Sequence, residues 1–236
     1  MSLLTITQDV CREVGVSVPS SVINNSDTTV QQVLALINTS GRTHMKNFVL
    51  EALTKEATFT TVATEEQDDI TDIASDFDRI IGRTMYDRSN TWRVFGPVSA
   101  AEWQRRKSTQ ISSIRNVFRI RGGKILFNPA PAAGLDVYFE YISNQWVENA
   151  AGDTPRAKFE RDDDVSLIDE ELLKKDAKWR FLAAKGFSYA EAFREYQIDL
   201  ANLVGTDGGK DTIDMSVPAG PENIMPAVPD GGWDVS

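Results

Sequence analysis

The 236-residue chain is 41% hydrophobic and 25% charged, the composition of a soluble globular protein with room for one large domain or two small ones. Its formal net charge of -10 argues against general affinity for a nucleic-acid backbone, because that affinity needs exposed Lys and Arg. No apolar run approaches the roughly 20 residues of a membrane helix, and the first residues lack the basic and apolar regions of a signal peptide. The single cysteine, Cys11, excludes an internal disulfide and fits a reducing compartment, so we expect a cytoplasmic product.

Residues 1–54 predict helices that belong to a bundle. A capping box formed by Thr5 and Gln8 indicates a first helix that runs to about Val14. A second helix is predicted from about residue 27 to residue 53, where apolar side chains keep helical spacing. Ser40-Gly41 is a point at which this helix could bend.

Residues 55–145 differ in character and predict a small antiparallel β subdomain. Thr, Phe and Val alternate along residues 56–63, which favours a strand. Residues 65–87 hold eight carboxylates against two arginines. Their apolar residues recur at helical spacing, so this segment predicts a turn followed by an acidic amphipathic helix.

The second part of the subdomain predicts one short helix among strands. After a short candidate strand at residues 92–95, Ser99 and Glu102 form a capping box for a helix through residue 107. Gly122-Gly123 separates two apolar runs and predicts a two-residue hairpin turn, because glycine allows positive φ at both positions. Residues 135–141 alternate again and predict a further strand.

Beyond a polar linker at residues 146–168, residues 169–204 predict a helical hairpin. Gly186 ends its first helix, and a capping box of Ser188 and Glu191 begins its second. The helices at both ends of the chain would form one bundle, so the sequence predicts an α+β fold with the small antiparallel β subdomain inserted into a helical bundle.

The last segment, residues 205–236, predicts an extended C-terminal arm. It holds four prolines and apolar side chains without a period, so it cannot form a core of its own. We interpret it as an arm that becomes ordered on another subunit. The apolar side chains expected to make that contact are Ile213, Met215, Val217, Ile224, Met225, Val228 and Trp233.

The sequence offers little for catalysis, a cofactor or a metal. His44 is the only histidine, and an exposed or packed side chain is a better interpretation than a catalytic base. The three aspartates at 162–164 lack the spacing of a calcium loop, so charge in solvent or at a helix start is favoured over metal binding. We therefore expect no enzyme, no cofactor and no metal, although the carboxylate clusters leave a metal-dependent hydrolase open.

One charge feature stands out, a basic segment whose only nearby acid is Glu102. It could be a solvated surface, a nucleic-acid site that uses Trp103 and Phe118, or a contact with acidic residues of a neighbouring copy. We favour the last over nucleic acid, because opposite charges on two faces suit a head-to-tail contact that closes into a ring. The basic candidates for the subunit interface are Arg105, Arg106, Lys107, Arg115, Arg119 and Arg121, with Lys124 in the same segment, and the acidic ones are Glu65, Glu66, Asp68, Asp69, Asp162, Asp163 and Asp164.

Several segments of the sequence, taken together, resemble one protein family. They are residues 3–15 with 19–22, residues 33–38 with Gly41-Arg42, residues 53–59, residues 163–170, and Lys178-Trp179-Arg180. Together they resemble the head-to-tail adaptors of tailed bacteriophages, the head-completion or tail tubular protein A-like group.

The resemblance implies a virion structural protein without catalytic residues. It implies a ring, dodecameric in this family, around the DNA channel at the neck of the virion. The expected partners are other copies of the chain, the phage portal protein and a tail, tail-terminator or nozzle protein, with genomic DNA passing without sequence-specific binding and no membrane. The protein would be made in the cytoplasm of the bacterial host. A DNA-binding or packaging-accessory role for the segment from Arg105 to Lys124 remains the alternative.

Overall fold

Helices from both ends of the chain meet around a β-rich middle. The computed structural model describes residues 2–108 and 115–207, and six α-helices lie within these ranges. They are α1 (Leu3–Glu13), α2 (Thr28–Asn47), α3 (Ile70–Ile73), α4 (Ala100–Ser108), α5 (Glu170–Ala184) and α6 (Ala190–Thr206). A single 3-10 turn, Glu51–Leu53, connects α2 to the first strand.

The strands of the described residues form three small antiparallel sheets. The largest has the order β1-β8-β4-β5, with β3 also paired to β8, and the others have the orders β2-β7-β6 and β10-β9-β11. The strands are β1 (Thr54–Thr60), β2 (Glu66–Asp69), β3 (Phe77–Ile80), β4 (Tyr86–Asp87), β5 (Trp92–Arg93), β6 (Val117–Arg121), β7 (Lys124–Asn128), β8 (Asp136–Ser143), β9 (Val147–Glu148), β10 (Pro155–Arg156) and β11 (Val165–Ser166).

Two main apolar clusters confirm the predicted α+β fold. The first joins α1, α2 and α5, with Leu3, Ile37 and Phe181 among its buried side chains. The second lies inside the β subdomain, where Phe59, Phe127 and Phe139 pack edge to face. Burial of such side chains is the main force that holds each part together.

Helix α1 begins at Leu3, earlier than the capping box of Thr5 and Gln8 predicts. Ser2 is the N-cap, and its hydroxyl accepts a hydrogen bond from the Thr5 amide at 3.3 Å. The amides of Leu3 and Leu4 donate to the carbonyls of Asp164 and Asp162 at 2.8 and 3.0 Å. Gln8 reaches the carbonyl of Pro19 instead of the helix start. The first turn is therefore satisfied by a distant part of the chain, which no local pattern can show.

Helix α2 runs unbroken through Ser40-Gly41, from Thr28 to Asn47, and ends before the predicted residue 53. A Cβ at Gly41 would lie 2.3 Å from the ring of Trp146, which is fully buried against the helix and meets Phe159 edge to face. Glycine is used here because an indole ring lies directly on the helix backbone.

Residues 65–87 do not form the expected acidic helix. Only Ile70–Ile73 is helical, and β2, β3 and β4 occupy much of the rest. Helical spacing of apolar residues is ambiguous over short runs, and here β7 and β8 supply strand partners for this backbone. Tertiary pairing therefore decides the secondary structure of this segment.

The segment 146–168, which the sequence analysis interprets as a linker, contains β9, β10 and β11. It also buries Trp146, Val147 and Phe159 in the cluster of the helical bundle. The segment is part of the folded structure around the bundle because these apolar side chains anchor an otherwise polar stretch.

The helical hairpin forms as predicted, with one corrected detail. At Gly186, the Phe187 amide donates to the Leu182 carbonyl at 2.9 Å, the bond pattern that ends a helix at glycine. The capping box of Ser188 and Glu191 is absent, because the N-cap of α6 is Tyr189 and no side chain caps it. Helix α6 extends to Thr206, and residues 208–236 of the expected arm lie outside the described residues.

His44 lies at the contact of α2 with α6. It is fully buried, its Nδ1 lies 2.8 Å from the Ser40 carbonyl, and its Nε2 lies 3.1 Å from the Tyr196 hydroxyl. Because a carbonyl only accepts, Nδ1 carries the proton and Nε2 accepts from Tyr196. Burial lowers the pKa of His44, although the carboxylate of Asp176 opposes this effect.

We expect the free energy of unfolding to fall as the pH is lowered through the normal range of histidine. The unfolded chain gains a proton on His44 below about pH 6.5, whereas the folded chain resists it, so this contribution to stability is complete above that pH and lost below it. Urea denaturation between pH 7.5 and 5.5 measures the slope. Since His44 is the only histidine, His44→Gln is a matched control and should flatten the slope in this window. Equal slopes in both proteins would contradict the prediction.

Candidate interaction surface

Helix α4 covers the outer face of the three-stranded sheet β2-β7-β6. Its Trp103 is buried against Val117 of β6 and Leu126 of β7. Ser99 accepts a hydrogen bond from the Glu102 amide at 3.2 Å, so this helix starts at the cap that the sequence predicts. Trp103 thereby fixes the position of the charged side chains on either side of it.

The alternation of β6 and β7 places further cations beside α4. Val117, which contacts Trp103, shares one face of β6 with Arg119 and Arg121, and Arg121 is opposite Lys124 of β7. We call the resulting surface the basic face. It consists of Arg105, Arg106, Lys107, Arg119, Arg121 and Lys124.

Part of this charge is neutralised within α4 itself. Glu102 accepts hydrogen bonds from Arg105 Nε at 2.8 Å and from Arg106 Nε at 2.7 Å. These hydrogen bonds lower the pKa of Glu102 to about 2, so it stays ionised at any physiological pH. Arg105 nonetheless remains 72% exposed and can meet a further partner.

Two acidic candidates pair with the basic face of the same chain. Lys107 forms an ion pair with Glu65, and Lys124 lies 3.5 Å from Glu66. From the sequence these two acids are expected to face a neighbouring copy, and in the structure they contact cations of their own subunit. β2 lies next to β7 in the same sheet, so these opposite charges meet within one subunit.

The other acidic candidates divide into exposed and buried groups. Asp68 and Asp163 are exposed, and Asp69 is half-buried before α3. Asp162 accepts from the amides of Val22 and Ile23 at 3.1 and 2.9 Å. Asp164 is fully buried. Its carboxylate accepts from two backbone amides at 2.8 Å and pairs with Arg156. The carboxylates of Asp162 and Asp164 therefore both have hydrogen-bond partners in their own subunit.

A second cationic feature lies beside the basic face, and sequence reasoning missed it. A cleft of about 430 Å³ is lined by Arg83, Arg93, Arg106 and Arg115, with Glu102 as its acidic residue. The guanidinium groups of Arg93 and Arg115 lie 5.2 and 5.7 Å from the centre of the Phe95 ring. We call this feature the arginine cleft. Its arginines are scattered along the sequence and only folding brings them together.

The residues considered for chemistry have other roles in the described part of the chain. Cys11 is fully buried, as expected for a small apolar side chain. His44 contacts Tyr196 and a helix carbonyl, as described above. Within residues 2–108 and 115–207, no group of three or more His, Cys, Asp or Glu side chains could hold a metal ion. None of the helices described there has the length and hydrophobicity needed to cross a membrane.

Comparison with known families gives a match that covers almost the whole chain. The model of the SU10 adaptor protein family matches residues 1–219, a range that includes every described helix and strand. A comparison with curated proteins finds no match to the chain. The chain therefore belongs to the SU10 adaptor family, a family of phage head-to-tail adaptors.

Proposed function

We propose that this phage adaptor is a virion structural protein that forms a ring, dodecameric by its family resemblance, between the portal and the tail. The observation that carries the proposal is the family match over residues 1–219, which covers the bundle and the β subdomain together. In this proposal the protein has no catalytic role. It binds the portal protein on one side and a tail, tail-terminator or nozzle protein on the other, and genomic DNA passes through the ring at the neck.

The division of the chain supports two distinct contact regions. We propose a bundle built from residues 1–54 and 169–204, a β-rich part at 55–145, the connecting segment 146–168 and a C-terminal arm. The bundle and the β-rich part each have an apolar cluster of their own. Each part can therefore present its own surface to a different partner.

The distribution of charge supports contact between copies. The basic face retains exposed Arg105 and Arg121, whereas Asp68 and Asp163 are exposed acids. A head-to-tail contact needs two different complementary surfaces, and the exposed cations of α4 and β6 with the exposed Asp163 in the loop before β11 fit that need.

Helix α6 supplies exposed apolar surface for contact between copies. Phe187, just before the helix, is 60% exposed, and Ile198 is 52% exposed. Large apolar side chains in the open are common at interfaces between subunits. We propose that α6 and the basic face contribute to the contacts around the ring, with the arm adding reach to the portal or to a neighbour.

A DNA-binding or packaging-accessory role remains the second candidate, because the basic face groups cations on a protein of net charge -10. Its internal pairs with Glu65, Glu66 and Glu102 weaken this candidate, since a phosphate contact needs cations that are not already paired.

The copy number of the protein in purified virions tests the proposed function. We expect about a dozen copies per particle, because a closed ring at one vertex fixes the stoichiometry. Quantitative mass spectrometry against a major capsid protein measures it. Hundreds of copies would place the protein in the tail tube or on the capsid surface, and absence from the particle would contradict a structural role.

Removal of residues 208–236 should leave a folded protein that enters particles poorly. The truncation removes no residue of the two apolar clusters, so thermal unfolding should change little, whereas the contact made by the arm is lost. Circular dichroism and the amount of protein in virions measure the two effects. Normal incorporation of the truncated protein would show that the arm is not needed for assembly.

The double variant Arg119→Glu with Arg121→Glu should weaken association between copies by about tenfold, equivalent to ~1.4 kcal/mol. Sedimentation velocity measures association, and Arg194→Glu on the exposed side of α6 is the charge-matched control. Introduction of Asp68→Lys and Asp163→Lys into the double variant should restore part of the association if these acids are the partners. If instead the wild type binds duplex with a steep salt dependence that the double variant loses, the DNA-binding candidate replaces the interface.

A further inference from the structure

The arginine cleft has more positive than negative groups in its lining. Glu102 already holds Arg105 and Arg106, whereas Arg83 and Arg93 form no ion pair with a described residue. The Nε of Arg93 is buried and donates to no acceptor in the described structure. A buried donor without a partner is costly, and the cost is relieved when an anionic group binds beside it.

A larger cleft nearby has no excess of positive groups in its lining. It measures about 640 Å³ and contains the carboxylates Glu56, Asp87 and Glu140 alongside Arg83 and Arg88. Arg88 pairs with Glu56 and lies 3.7 Å from the centre of the Tyr138 ring. Its three carboxylates outnumber its two arginines, so the arginine cleft, where the arginines are in excess, is the better site for an anion.

The lining also determines what kind of anion fits. Phe95, Pro97, Val98 and Val117 form apolar parts of the wall, with arginines between them. Such a wall suits an aromatic side chain flanked by carboxylates, because guanidinium groups both pair with carboxylates and stack on aromatic rings. A cleft of this size admits side chains but not the surface of a duplex.

The C-terminal arm contains a segment with this chemistry. Residues 208–236 hold five carboxylates and one lysine, and Trp233 lies between Asp230 and Asp234. The family match ends at residue 219, before Asp230, Trp233 and Asp234. We propose that residues 229–234 dock into the arginine cleft of their own subunit, with Trp233 against the apolar wall and the two aspartates on Arg83 and Arg93.

The arm is long enough to reach the cleft within one subunit. The described chain ends at Asp207, whose carboxylate accepts from the Glu51 amide at 3.1 Å, just before β1. From there, strand register places Arg93 roughly 20 to 30 Å away, because Thr54 is opposite Ile142 and Arg93 is two strands across from Tyr138. Residues 208–228 span up to roughly 70 Å when extended.

Docking of the arm tip adds a step to the proposed role of the arm, and it depends on that role only in part. Docking within one subunit would hold the arm tip in place before assembly, and it requires neither the ring nor a partner. Its failure would leave the copy number in virions unchanged, so it can be told apart from failure of the proposed function.

Fluorine NMR of the full chain labelled with 5-fluorotryptophan tests the proposal. The chain has five tryptophans, and Trp233→Phe identifies the signal of interest. We expect the Trp233 signal to differ from that of a synthetic peptide of residues 208–236, and to move to the peptide position in Arg83→Gln with Arg93→Gln. The control Arg194→Gln should leave it in place.

A second variant keeps the test valid if the arginine changes disturb folding. Asp230→Asn with Asp234→Asn alters only the arm and should also move the Trp233 signal to the peptide position. A wild-type signal already at that position, or one that no variant moves, would overturn the proposal.

Two further measurements decide between this occupant and others. A photo-crosslinker at position 233, in an equal mixture of isotopically light and heavy protein, should link residues of the same isotope. Mixed links would overturn docking within one subunit in favour of a neighbouring copy. If a short duplex shifts the signal of Trp92, beside the cleft, and the arm variants shift nothing, the cleft binds phosphate and the proposal is wrong.

Discussion

The run of aspartates at 162–164 holds the N-terminal helix against the segment that precedes α5, and the helical bundle closes at that contact. Its backbone carbonyls accept from the first amides of α1, and the Asp162 carboxylate accepts from the amides of Val22 and Ile23. Asp164 is buried beneath them and paired with Arg156. The whole β subdomain lies between the helices so joined, and closing a long insertion costs entropy. Loss of these acceptors would leave several amides without partners where the bundle closes.

Strand β8 connects the helical bundle with the β subdomain. It pairs with β1 along its length and with β3 and β4 on its other edge, and the chain continues from it to Trp146 on the backbone of α2. At the join, Asp76 accepts from Lys55, Tyr141 and Ser143. Burial alone would raise the pKa of Asp76, but these hydrogen bonds outweigh it and lower the pKa to about 2. This ionised network holds β1, β8 and the turn before β3 together at the end of the β subdomain from which the chain continues into the bundle.

The parts of the fold that the sequence predicted well are those set by local chemistry. The Ser99 cap, the Gly122-Gly123 turn and the helix end at Gly186 each depend on neighbouring residues, and all three occur in the structure. The acidic helix at 65–87 was wrong because its strand partners lie far along the chain. The contacts of Asp162 with the amides of Val22 and Ile23 likewise join distant residues, so no local pattern shows them. The arginine cleft was missed for the same reason. Arg83, Arg93, Arg106 and Arg115 share no periodicity, and the only nearby sign was an aromatic residue, Phe95, two positions after Arg93.

A basic stretch of sequence is consequently a poor guide to a basic surface. Lys107 and Lys124 are paired with acids of β2, and Arg105 and Arg106 share Glu102, so much of the charge in this segment serves the subunit itself. Arg119 and Arg121 on β6, and Arg83 and Arg93 in the arginine cleft, form no ion pair with a described residue. Arg106 of α4 belongs to both surfaces, and Glu102 holds it in place beside Arg105. Docking of the arm is proposed on Arg83 and Arg93, which are not part of the basic face, so the arm and a neighbouring copy do not compete for these two arginines.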